Sequence, residues 1–130
     1  MKSIITLLTL FVLCGQSIAE ELRGKVVAIQ DGDTLTALVD LKQIKVRLVD
    51  IDAPESRQAF GDRSKQALSK LCHNQAIRLV STSKDRYGRI LANVWCAGRH
   101  ANAEQVRLGM AWVFDRYVVD RSLYGLQDEA

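Results

Sequence analysis

From Val46 to Glu55 the chain sets one guanidinium, Arg47, beside three carboxylates, Asp50, Asp52 and Glu55. Residues Ile44 to Leu48 alternate apolar and polar, so Ile44, Val46 and Leu48 face a core while Lys45 and Arg47 face away. Pro54 then ends the strand. It offers no N–H to a ladder and biases Ala53 toward an extended conformation, which leaves Asp52 and Glu55 on a stiffened strand exit. A cation and several acids at such an exit are the groups that clamp an anion, hold a hard metal ion or move a proton. Taken alone, an Asp-x-Pro-Glu stretch also reads as a charged surface loop, so its reading as an active site depends on what the fold brings beside it.

Three other pieces carry polar chemistry: Asp31-Gly32-Asp33-Thr34, Asp85-Arg86-Tyr87-Gly88-Arg89, and the run from Asn102 to Ala111-Trp112-Val113. Each has a plain structural reading. Asp33 could cap a hairpin, Arg47 could pair with Asp50 or Glu55 across the surface, and Arg89 could be a solvated turn residue. Trp112, Val113 and Phe114 read as core and rim rather than as a platform for stacked bases.

The elements that would position these pieces follow from periodicity. Leu22 to Gln30 is rich in Val and Ile and reads as a strand. Asp31-Gly32 is a hairpin signal, and Asp33 to Asp40 reads as the second strand. A turn around Leu41-Lys42 leads to a third, Gln43 to Asp50. From Ala59 to His73 the period becomes helical, with Phe60, Ala67, Leu68, Leu71 and Cys72 on one face. Ala76 to Ser81 and Ile90 to Cys96 read as a fourth and fifth strand around the Asp85–Arg89 turn. Asn102 is placed to cap a second helix, with Gln105 three residues on. Three strands, a helix, two strands and a helix predict an α+β, mainly β fold: a five-stranded Greek-key barrel of the oligonucleotide/oligosaccharide-binding (OB) type with two to three flanking helices.

Residues 1–19 have a basic Lys2, the apolar run Ile4 to Leu13 and a small-residue end at Ala19, the pattern of a secretory signal. The apolar run is too short to span a bilayer, which needs roughly 20 residues. The protein is therefore expected to be exported, periplasmic or secreted, without stable membrane association after cleavage. A lipid anchor on Cys14 is the rival reading; lipoprotein signals resemble one another in a small residue where this chain has Leu13. Residues 20–130 have the length of one domain. Loss of Lys2 lowers the formal net charge from +3 to +2, which permits a polyanionic partner without demanding one. Cys72 and Cys96 remain, and in an oxidising compartment they are expected to form one disulfide. Two free thiols are the alternative. A zinc site from Cys72, His73, Cys96 and His100 lacks the usual ligand spacing.

In order and spacing, the four polar pieces resemble the thermonuclease family, the staphylococcal-nuclease-like domain, from Leu22 to Tyr117. The resemblance implies a calcium-dependent nuclease or endonuclease acting on DNA and RNA with little sequence preference, leaving 3′-phosphates, and working as a monomer. It implies Asp33 and Asp52 as Ca²⁺ ligands, the Ala53 carbonyl as a backbone ligand and Asp31 in the outer shell. Arg47 and Arg89 match the two arginines that clamp phosphate, a task suited to a planar, permanently charged fork. Glu55 matches the carboxylate that acts on the attacking water. Tyr87 matches a phosphate contact, and Tyr117 a tyrosine beside the base pocket. Asp50 has no role in this scheme.

The chain departs from the family in four places. Ala53 replaces a common Thr, and the segment from Glu55 to Phe60 is shorter than a long loop in the best-known secreted member. Asp115 falls where that member has a tyrosine, and the chain stops at Leu126–Ala130 where members continue into a third helix, so a C-terminal truncation is one expectation. The competing functional reading is a nucleic-acid-binding barrel without catalysis, and a further one is a surface interaction module. Neither needs Asp33, Arg47, Asp52, Glu55 and Arg89 together.

Overall fold

The computed structural model describes residue 15 and residues 18–130; the expected leader lies almost wholly outside them. In chain order the described elements are β1 (Glu20–Asp31), β2 (Thr34–Val39), β3 (Lys42–Leu48), β4 (Ile51–Asp52), α1 (Gly61–Cys72) and β5 (Ala76–Lys84), then β6 (Ile90–Cys96), β7 (Arg99–His100), α2 (Ala101–Arg107), β8 (Trp112–Val113) and α3 (Leu123–Glu129). Strands β1, β2 and β3 form an antiparallel meander. The sheet continues from β1 through β5 to β6, and parallel pairing of β6 with β3 closes a five-stranded barrel. This is the OB-type barrel expected from the alternation, with three helices beside it.

Closure depends on β1 changing partners along its length. Glu20 to Lys25 pairs with β5, and Lys25 to Asp31 pairs with β2. At the changeover a Cβ on Gly24 would lie 2.1 Å from the Leu38 carbonyl oxygen, so only glycine admits the approach. Leu35, Val46, Leu48, Leu79 and Val94 fill the barrel. Helix α1 closes it with Leu68 and Leu71, each contributing about 2 kcal/mol on leaving water. Cys72 of α1 is bonded to Cys96 of β6, their Cα atoms 5.1 Å apart, so the helix is fastened to the barrel wall.

Four local expectations differ from the structure. Strand β3 stops at Leu48, and the chain turns at Val49–Asp50, with Asp50 at φ 67°. The second hairpin turns on Asp40-Leu41, both at positive φ, one residue earlier than the composition suggests. Phe60 does not face the core: it precedes α1 at φ 62° and is 68% exposed. Asn102 lies within α2 rather than capping it, because its side chain is taken by the barrel wall; it accepts from the Val94 N–H at 2.9 Å and donates to the Val49 and Ala92 carbonyls. The third flanking helix is α3, with Leu123 buried. Among the described residues no helix is long and apolar enough to cross a membrane.

Candidate active site

At one rim of the barrel the turn after β1 meets the end of β3. The Leu48 N–H donates to the Asp33 carbonyl at 2.8 Å, and Thr34 stands opposite Arg47 in the β2–β3 ladder. The Arg47 Nη2 lies 3.2 Å from Asp33 Oδ2 and 3.3 Å from Asp52 Oδ1, and its side chain is 12% exposed. Its Nη1 donates to the carbonyls of Leu48 (2.7 Å) and Ile51 (2.8 Å). A guanidinium can do this because its donors spread in a rigid fork.

Both Asp33 oxygens are held. Oδ1 accepts from the Thr34 hydroxyl at 2.9 Å, and Oδ2 from the Ala53 N–H at 2.9 Å. Asp31 lies beside it and accepts from the Asp33 N–H at 3.2 Å. Burial first, and then the hydrogen bond and charge of Asp33, push the Asp31 carboxyl up to about 6. Two acids crowded in this way call for a positive charge between them.

The turn that carries these acids is fixed from behind. The buried Gln105 of α2 donates to the carbonyls of Gly32 (2.8 Å) and Ser64 (3.1 Å), and the Ser64 hydroxyl donates to the Met110 carbonyl at 2.6 Å. A Cβ on Gly32 would fall 1.7 Å from Ser64 Oγ, so the turn seats against α1 only as glycine. Gln105 reads in the sequence as part of a capping box, and no local pattern marks its buried bonds. Asp50 also has a place. It is buried and accepts from the Val119 and Asp120 N–H groups at 2.9 and 3.2 Å, while its carbonyl accepts from Phe114. Positive φ at an Asp is tolerable, and nothing local in the sequence marks it.

Glu55 follows on an exposed turn. Its N–H donates to the Gln58 side chain at 2.7 Å, its carbonyl accepts from the Gln58 N–H, and Gly61 packs against that carbonyl so closely that a Cβ would lie 1.9 Å away. The backbone is thus held, while among the described residues the Glu55 carboxylate takes part in no hydrogen bond or ion pair.

Arg89 ends the turn that immediately precedes β6, and the parallel register sets Arg47 beside Leu91, two residues further on. The Arg89 Nε donates to Asp85 Oδ2 at 2.7 Å, and its guanidinium lies 5.7 Å from the Tyr87 ring centre. Part-burial works to raise the Asp85 carboxyl, but hydrogen bonds from the Arg89 side chain and from the Arg89 and Tyr87 amides hold it below the usual carboxylate range. Tyr87 is exposed and accepts from Arg86 at 2.7 Å. Tyr117 is exposed too and packs edge-on against Phe114, 5.1 Å between centres; no hydrogen bond or ion pair joins it to Arg47, Asp33 or Asp52 among the described residues. Asp115 accepts a hydrogen bond from Tyr124 of α3.

Among the described residues no three His, Cys, Asp or Glu side chains converge as a ready metal cage. What converges is a pair, Asp33 and Asp52, on one nitrogen of Arg47, with Asp31 behind. These all-oxygen donors fit a hard cation that completes its shell with carbonyl and water oxygens.

A closed barrel of the OB type, with acids and a largely buried arginine gathered at one rim and a carboxylate beside them that is unpaired among the described residues, defines a small barrel protein with a charged site. Residues 45–130 match the family described as staphylococcal nuclease homologue. The chain is 44% identical to an uncharacterized endonuclease of Haemophilus influenzae over 96% of its own length and 71% of that protein's. It is 45% identical to Protein ParB of Escherichia coli over 85% of its length and 68% of the relative's, and 41% identical to a micrococcal nuclease of Shigella flexneri over 85% and 70%. The chain belongs to the staphylococcal nuclease homologue family.

Proposed function

We propose that the chain is a calcium-dependent nuclease that hydrolyses DNA and RNA with little sequence specificity and leaves 3′-phosphates. That it is a nuclease hydrolase with a nucleic acid substrate follows from its family; calcium, the range of substrates and the end left behind are our reading. The observation that carries it is the meeting of Asp33 and Asp52 on Arg47, three residues before the unpaired Glu55.

A phosphodiester repels nucleophiles because its oxygens are already anionic, so a site must neutralise charge, position a water and activate it. Asp33, Asp52 and the Ala53 carbonyl would hold the calcium ion, with Asp31 behind them. Bound there, calcium supplies positive charge to the phosphate oxygens and a place for the attacking water. Arg47 and Arg89 take the phosphate between them, and each must give up part of its present pairing to do so. Glu55, with a fixed backbone and a free carboxylate, takes the proton of the attacking water or orients it. Tyr87, beside Arg89, contacts the phosphate, and Tyr117 the base. The disulfide and the expected leader together support export to an oxidising compartment, periplasmic or extracellular, where the protein acts as a monomer.

Digestion of single-stranded DNA, duplex DNA and RNA in calcium and in chelator tests this. Cleavage only with calcium, yielding 3′-phosphate ends, is expected. Calcium-independent cleavage removes the metal assignment, and a folded protein that binds but does not cut is the non-catalytic barrel instead.

A further inference from the structure

The tip of the β1–β2 hairpin is buried: Gly32 and Asp33 are both shielded from water. A hairpin tip at the surface gives its carbonyls to water, whereas a buried one needs donors from the protein. The Gly32 carbonyl, between Asp31 and Asp33, accepts from Gln105 Nε2 at 2.8 Å, and the same nitrogen donates to the Ser64 carbonyl at 3.1 Å. Ser64 lies in α1 and Gln105 in α2. One amide, 73 residues away from Gly32 in sequence, therefore ties the tip to both helices.

That amide is costly to the fold. Gln105 is fully buried, and its Oε1 meets no donor among the described residues; a polar atom buried without a partner lowers stability. The other buried positions of α2 include the apolar Ala101 and Val106, and a methionine of about the same length would fill the place of Gln105 without stranding an acceptor. What the amide alone supplies is a donor aimed at the turn. Leu48, Thr34 and Ala53 hold Asp33 from the strands and the strand exit, while Gln105 holds the tip from the helices behind it.

We infer that Gln105 is a positioning residue for the cation site: it stands behind the acids and, through the Gly32 carbonyl, sets where Asp31 and Asp33 lie relative to Asp52. Without its donor the Gly32 carbonyl is stranded, the tip moves toward water, and the acids part. The inference rests on the calcium reading of those acids and adds to it a residue that lies outside them.

Gln105→Met keeps the volume and removes the donor. In calorimetric titration with calcium, without nucleic acid, its affinity should fall about tenfold to a hundredfold, the scale for outer partners of metal ligands. Saturating calcium should restore kcat. Amide exchange at Ala53, whose N–H is bonded to Asp33 Oδ2, should quicken. Exchange at Val94, whose N–H is bonded to Asn102 of the same helix α2, should stay as in the parent. Unchanged calcium affinity overturns the inference, and so does equal quickening at Ala53 and Val94, which marks a general loss of α2 packing. In a parent that binds no calcium, quickening at Ala53 alone upholds the hold of Gln105 on the turn and overturns the calcium reading, whereas unchanged Ala53 exchange overturns the inference. Should Gln105→Met fail to fold, the parent decides: its Gln105 side-chain amide protons should exchange slowly and shift on addition of calcium. Fast exchange of those protons, or no shift in a parent that binds calcium, overturns the inference.

Discussion

Arg47 reaches over its own turn to Asp52, five residues on, at 3.3 Å, and touches the carbonyls of Leu48 and Ile51 on the way. It is therefore the staple of the strand exit as well as a candidate phosphate clamp, and the two roles separate on substitution. Arg47→Ala would leave two buried carbonyls and the Asp33 carboxylate without their cation. We expect a loss of about 3 kcal/mol or more, read from urea unfolding in chelator, together with loss of cleavage. Calcium should restore part of that stability and none of the cleavage. Arg47→Lys, a point charge without the fork, should recover stability better than turnover.

Asp50 ties the same turn to the chain end by accepting from the Val119 and Asp120 amides. Asp50→Ala removes both acceptors and places alanine at φ 67°. A loss of about 1 kcal/mol or more is expected from the strained backbone and the two lost hydrogen bonds. Hydrogen exchange should show faster exchange at Val119 and Asp120 than in the parent. Unchanged protection there would mean that the C-terminal segment does not depend on Asp50.

The difference between Arg47 and Asp50 shows where the sequence was legible. The barrel followed from alternation because each strand buries one face, so Val46 and Leu48 inside forced Arg47 outward. The acids and arginines of the site could be nominated because their types match phosphate chemistry and their spacing resembles a family. Asp50, Gln105 and Phe60 could not. Asp50 and Gln105 act through backbone groups distant in sequence, Val119 and Gly32 among them, and no local pattern encodes those partners. The helical phase of Phe60 fits the apolar stripe, but the Glu55–Gly61 contact starts the helix at Gly61, two residues after Ala59, and leaves the Phe60 ring exposed.

Glu55 offers the cleanest separation of chemistry from folding, since its backbone is fixed and its carboxylate has no partner among the described residues. Glu55→Gln should leave the unfolding midpoint within error of the parent. Turnover should fall by on the order of 10² or more, the scale of general acid–base effects, with KM little changed. A variant as fast as the parent would remove Glu55 from the reaction.

Strands β6 and β7 hold a stack that should make stability depend on pH. His100 lies face to face with Trp95, 4.7 Å between ring centres, and its Nε2 is 3.0 Å from Asn93 Oδ1. The Arg78 guanidinium covers the indole at 4.1 Å. Burial, foremost, and the charge of Arg78 lower the His100 pKa from its ordinary 6.5, against the pull of Asp120 and Asp50. The unfolded chain therefore binds a proton at a higher pH than the folded one. The stabilisation from a neutral His100 is complete above the unfolded value and is lost as pH falls from about 6.5 through the lower folded value. Thermal unfolding followed from about pH 7.5 to about pH 5 should show the midpoint declining over this window. His100→Phe keeps a ring against Trp95 but cannot take a proton, so its decline over the same window should be shallower. An equal decline in the variant would assign the pH dependence to other groups.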